Sequence, residues 1–132
     1  MHKITKEFLD NIEQEKTQGR NFFEYELIEE YRKFYAKWQG RRLEYEYKRK
    51  PLRATIYEEL RKTVKTQKDA EMQAECDPRY KKHIEGLTES INVSLEAYAL
   101  LSGLEYKIEY MKRCEIANHT ARKYANNDGY GS

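Results

Sequence analysis

Two cysteines, two prolines and six glycines are all that 132 residues hold of the types that staple or punctuate a chain. Cys76 and Cys114 lie far apart, and neither has a second cysteine or a histidine at ligand spacing. A disulfide framework and a zinc site therefore lack their parts, and both cysteines read as buried or half-buried thiols. No apolar run approaches the ~18 residues of a membrane span. The N-terminal stretch MHKITKEFLDNIEQE has no apolar centre of the kind a signal peptide needs, so the expectation is a protein of the cytoplasm with no membrane partner.

Catalytic equipment is equally scarce. The glycines form no G-x-x-x-x-G-K-[ST] loop, the backbone cradle for a nucleoside triphosphate. His2, His83 and His119 stand alone, as exposed or satisfied side chains rather than bases. Acidic pairs such as Glu58-Glu59 fall at surface-like positions of helices, where solvation explains them better than acid/base work. With no nucleophile, base or metal ligand to name, the reading is a non-enzyme without a cofactor.

What the chain has in abundance is charge, 36% of residues against 39% apolar, which describes one domain with a thin core. The net charge is only +2, yet residues 37–68 hold 11 basic side chains against 4 acidic, between two acidic flanks. A clustered positive field attracts nucleic acid or an anionic surface even when the sum is small. A solvated helix whose acids lie elsewhere would show the same count.

Periodicity is helical throughout. Thr5 can cap a short segment carrying Phe8, Leu9 and Ile12, ended by Gln18-Gly19. Asn21 with Glu24 resembles a capping box, and Phe23, Leu27, Tyr31, Phe34, Trp38 and Tyr45 then form one stripe. Pro51 predicts an end or a kink at Lys48-Arg49-Lys50, whose cations would suit a helix C-terminus. A third helix is predicted over Arg53 to Glu75 through Ile56, Leu60, Val64 and Met72. Asp77-Pro78 launches the longest segment, 78–124, with a stripe of Ile84, Leu87, Ile91, Leu95, Tyr98 and Leu101 continued by Leu104, Ile108 and Met111. A helix of that length is roughly 70 Å long. One domain of 1–125 cannot cover such a rod, so it either bends near Gly103 or is shared among several chains. Residues 126–132 are expected to be disordered.

The tyrosines admit two uses. Tyr31, Tyr35, Tyr45, Tyr47 and Tyr57 are interleaved with Lys and Arg, the combination that tracks a single strand by neutralising phosphates and stacking on bases. Tyrosines also suit thin helical interfaces, with the ring buried and the hydroxyl wet. Tyr31 and Tyr45 belong to the apolar stripe; Tyr35 and Tyr47 lie off its centre and are the candidates for contact.

Several of these features occur together in one family. Tyr35-Ala36-Lys37-Trp38 on an aromatic helix, the basic segment after it, Cys76-Asp77-Pro78 opening a long helix, Ala99-Leu100-Leu101-Ser102-Gly103-Leu104, Met111-Lys112-Arg113 and Ile116-Ala117 resemble the UvsY recombination mediators of T-even-like phages. The resemblance runs from about Glu7 to His119, in order and in helix layout. It implies an all-α, ring-like homo-oligomer of six or seven subunits that binds single-stranded DNA. Such a protein engages a RecA-like recombinase and a single-strand-binding protein, and loads the recombinase onto covered strand in phage DNA replication and repair. It further implies DNA contacts among Lys48, Arg49, Lys50 and Arg53, and subunit packing through Leu95, Leu101, Leu104, Ile108 and Met111. The family's tyrosine pair and glycine after the basic motif are missing, because Arg53 leads directly to Tyr57 and Leu60, so Lys37, Arg41 and Arg42 could share the contacts. The competing expectation is a phage structural or adaptor protein that assembles through the same helices and turns its basic stretch to an acidic protein.

Overall fold

The computed structural model describes the backbone of residues 1–130 and the side chains of residues 1–126. Four helices carry it: α1 (Lys3–Thr17), α2 (Glu24–Arg61), α3 (Gln67–Cys76) and α4 (Pro78–Tyr130). No strand occurs among the described residues, and no helix among them is long and apolar enough to cross a membrane.

At about 1.5 Å per residue, α2 is roughly 57 Å long and α4 roughly 80 Å. The two run antiparallel, and side chains along their seam mark the register. Arg32 meets Glu105 at 3.5 Å, the Ser94 hydroxyl donates to Gln39 Oε1 at 2.7 Å, His83 Nε2 lies 2.7 Å from the Tyr45 carbonyl oxygen, and Arg79 pairs with Glu59 at 2.6 Å. Helix α1 docks on this pair: Phe8 stacks on Phe34 with centroids 4.1 Å apart and meets Tyr31 edge-on, while the His2 N–H donates to the Glu96 carboxylate at 2.7 Å. Helix α3 folds back on the second half of α2, where Arg53 pairs with Glu75 at 2.8 Å.

The helix boundaries show which local signals won. Helix α1 stops as expected, with Gly19 at a φ of 96° and the Gly19 and Arg20 N–H groups donating to Lys16 and Glu15 carbonyls. Its start differs: His2 is the cap, its Nδ1 accepting from the Ile4 N–H at 3.1 Å, and Thr5 is buried inside the first turns. Phe23, not Asn21, precedes α2, with no side-chain cap; Glu24 and Glu26 in the first turn complement the dipole instead.

Pro51 ends nothing. Helix α2 passes through it to Arg61, although a proline in a helix interior forfeits a hydrogen bond at a cost of about 3 kcal/mol. Burial explains the tolerance. Trp38 and Ile56 are eighteen residues apart, about five turns, so both face the same way, and both are buried. One continuous helix seats the two anchors together, and packing overrides the local preference. The predicted third helix is consequently split. Residues 53–61 belong to α2, Arg61 closes the following turn by donating to the Val64 and Lys65 carbonyls, and Thr66 caps α3 by accepting from the Asp69 N–H at 3.2 Å.

Asp77-Pro78 opens α4 as read, with Asp77 Oδ1 accepting from the Arg79 N–H at 2.8 Å. The buried face of α4 coincides with the predicted stripe only in part: Leu87 is buried as expected and Ile84, Ile91, Leu101, Leu104 and Ile108 are half-buried, but the centre of the face is shifted. Leu87, Ser90, Val93, Ser94 and Ala97 are buried, whereas Leu95 and Tyr98 are each 57% exposed. Small residues face α2 because α2 brings the large rings. The Tyr45 ring lies so close to α4 that a Cβ on Gly86 would sit 2.7 Å from it. The buried Ser90 and Ser94 hydroxyls are satisfied by the Gly86 carbonyl and Gln39.

Helix α4 is unbroken through Gly103 and includes residues 126–130, where disorder was expected; Gly131 and Ser132 lie outside the described residues. Since Arg32 stands opposite Glu105 and α2 begins eight residues before Arg32, α4 outruns α2 after roughly residue 113. From Met111 to Asn126 every residue is exposed. Cys76, at the end of α3, and Cys114, on this overhang, are both exposed rather than buried, since no helix covers either position.

The Gly86 contact gives a testable sign reversal. Gly→Ala inside a helix ordinarily gains about 1 kcal/mol. Gly86→Ala is expected to destabilise instead, since the Tyr45 ring is held against His83 with centroids 5.0 Å apart and must be displaced. In a Tyr45→Ala background the same change should stabilise. A double-mutant cycle by urea denaturation measures this, and additivity would refute the contact.

Candidate nucleic-acid interface

The basic segment of residues 37–53 lies wholly on α2, and helical spacing sorts it into two edges around the buried Trp38–Ile56 face. Lys37, Arg41, Glu44 and Lys48 follow steps of four, three and four along one edge. Arg42, Glu46, Arg49, Lys50 and Arg53 follow the other. Both edges are interleaved with acids, and the acids decide which cations remain available.

Lys48 donates to Glu44 at 2.6 Å, Arg42 pairs with Glu46 at 3.3 Å and Arg53 with Glu75 at 2.8 Å. The Lys48 hydrogen bond and charge hold the Glu44 carboxyl below its ordinary pKa, and the same bond raises the Lys48 ammonium. Both groups stand in solvent, so the pair adds little to stability, but it leaves little net field at that point. The Arg41 guanidinium lies 4.5 Å from the Trp38 ring centroid, stacked rather than ion-paired. Lys37, Arg49 and Lys50 are exposed and have no acidic partner within 4 Å among the described residues. Of the seven basic candidates, these three and Arg41 keep uncompensated charge.

The two candidate tyrosines part company. Tyr47 is 82% exposed on the side of α2 turned away from α4. Tyr35 is half-buried and tilted against Tyr98 at 5.8 Å, so it helps to close the α2–α4 seam. Among the residues expected to pack subunits together, Leu101, Leu104 and Ile108 are half-buried within this one chain, and Leu95 and Met111 are exposed.

Two clefts flank the segment. One, of about 380 Å³, opens between α2 and α4 and is lined by Trp38, Arg41, Tyr45, Lys48, His83 and Glu89 among others. The second, also about 380 Å³, lies between α2 and α3 and is lined by Lys50, Arg53, Ala54, Tyr57, Gln67 and Glu71. Tyr57 stands beside Lys50 and Arg53 because α2 continues past Pro51, and Gln67 joins them because α3 doubles back; the Thr66 cap was the sequence signal that could have found that turn. No group of three or more His, Cys, Asp or Glu among the described residues could hold a metal ion. Comparison with protein-family models, with curated proteins and with solved structures finds no match to this chain.

Proposed function

We propose that this protein is a recombination mediator that binds single-stranded DNA along α2 and helps load a RecA-like recombinase onto strand covered by single-strand-binding protein. The observation that carries the reading is the set of unpaired cations Lys37, Arg49 and Lys50 on one exposed helix, with Tyr47 bare beside them. Cations without acidic partners hold no intramolecular contact to lose when they meet phosphate, so their full charge is available to a strand. The sequence resemblance supplies the recombinase and the single-strand-binding protein as partners. A ring of six or seven subunits would present the same weak site repeatedly, and multivalency would turn weak sites into a stable hold.

Binding of an oligonucleotide across a salt series tests the reading. Affinity should fall linearly in log–log form as salt rises. Negligible binding at low salt, or binding indifferent to salt, overturns it.

A second reading, the adaptor that assembles through α4 and binds an acidic protein, draws on the C-terminal part of α4, where Tyr106, Tyr110, Ile116 and Tyr124 are largely exposed. Solution mass with and without poly-thymidine separates the two. The mediator forms an oligomer that takes up the strand; the adaptor forms one that does not.

A further inference from the structure

Apart from Lys50, the side chains that line the cleft between α2 and α3 take no part in the proposed strand contacts. Lys50, Arg53, Ala54 and Tyr57 follow steps of three, one and three, so they share one face of α2, and Gln67 and Glu71 stand four apart on α3 opposite them. The space is about 380 Å³, within the ~300–1,000 Å³ of small-ligand sites. Ala54 leaves room that a larger side chain would fill. Tyr57 is half-buried and its hydroxyl makes no hydrogen bond to a described residue, so its ring is placed by packing alone.

Charge decides what such a cleft can take. Arg53 is already neutralised by Glu75, and Glu71 lines the interior, which opposes entry of a phosphate. Lys50, at the rim, keeps its charge. A neutral, flat, polar-edged group fits the inside, and an anion fits the edge. A nucleotide within a single strand has both parts in that order. Gln67 Nε2 donates to Glu71 Oε1 at 3.4 Å, a long bond that leaves the second amide N–H, the amide carbonyl and the other carboxylate oxygen for a base edge of either polarity.

We propose that the α2–α3 cleft seats one nucleobase of the bound strand, stacked on Tyr57 with its edge toward Gln67 and Glu71, while Lys50 holds the adjoining phosphate. This rests on the single-strand reading above and adds to it a base-contacting subsite built from two helices. Stacking is tolerant of sequence because every base has a π-face.

The experiment compares poly-thymidine with an abasic strand of equal length and the same phosphodiester backbone. Tyr57→Ala should weaken poly-thymidine binding about 5- to 150-fold, the range for one lost base stack, and leave abasic binding unchanged; Tyr57→Phe should keep most of the affinity. Ala54→Leu, which fills the cleft from an exposed position, should give the same selective loss even if Tyr57→Ala fails to fold. Poly-thymidine binding unaffected by either variant overturns this inference and leaves the single-strand reading standing. So does an equal loss on both strands. Failure of the unsubstituted protein to bind either strand overturns both readings.

Discussion

Trp38→Ala is expected to lower stability by about 3 to 5 kcal/mol, the usual penalty for emptying a buried aromatic site. The chain has one tryptophan, it is 4% exposed, and it lies on the line of contact between the two longest helices. Most other core positions are small: Ala70, Ala74, Val93 and Ala97 cannot expand to fill the space it leaves. Against a total of about 5 to 15 kcal/mol for an ordinary domain, that loss is a large fraction. Arg41 adds to the effect, because its guanidinium would lose the ring under it. Urea denaturation followed by circular dichroism, at fixed protein concentration, reads the change. A loss under ~1 kcal/mol would mean that the α2–α4 seam is held elsewhere.

The second large effect concerns charge. Replacing Lys37, Arg49 and Lys50 together by alanine should reduce the salt slope of single-strand binding by about 2, at ~0.7 for each phosphate contact removed. Low-salt affinity should drop by orders of magnitude while the helical signal persists, since all three side chains are exposed. The matched control is Arg42→Ala with Glu46→Ala, which deletes an ion pair without altering net charge and should leave the slope in place. If the control weakens binding as much as the triple variant, the pairing pattern does not select the contacts. Arg53 is omitted deliberately, because its removal would also strand Glu75 between α2 and α3.

The residues that could be read correctly from sequence were those whose signal is local. Gly19 ends α1 because a positive φ is open to glycine, and Asp77 caps α4 because its carboxylate reaches an N–H two residues on. The misreadings share a cause. Pro51 announces an end or a kink, yet the helix does not end there, because anchors on either side of it are buried on one face. Leu95 and Tyr98 announce a core stripe on α4, yet the core takes Ser90, Ser94 and Ala97, since the facing helix supplies the bulk. In both places the outcome depends on the partner helix, which periodicity within one segment does not contain. The candidate site follows the same division. The basic stretch is plain in the sequence, but which of its cations are neutralised depends partly on Glu75, twenty-two residues from Arg53 in the chain and adjacent in space.

If the single-strand reading proposed above holds, the unbroken passage of α2 through Pro51 sets what a bound strand must do. Lys37 and Lys50 lie thirteen residues apart on one rod, about 20 Å along its axis. Had the helix ended at Lys50, the basic cluster would have closed a mobile segment and could have adjusted to whatever met it. Fixed on the rod, its backbone spacing is set before any encounter, and the ordering penalty falls on the partner rather than on the protein. On that proposal a flexible polyanion would adapt to such a ruler, and in doing so would be straightened or bent to the protein's own pitch.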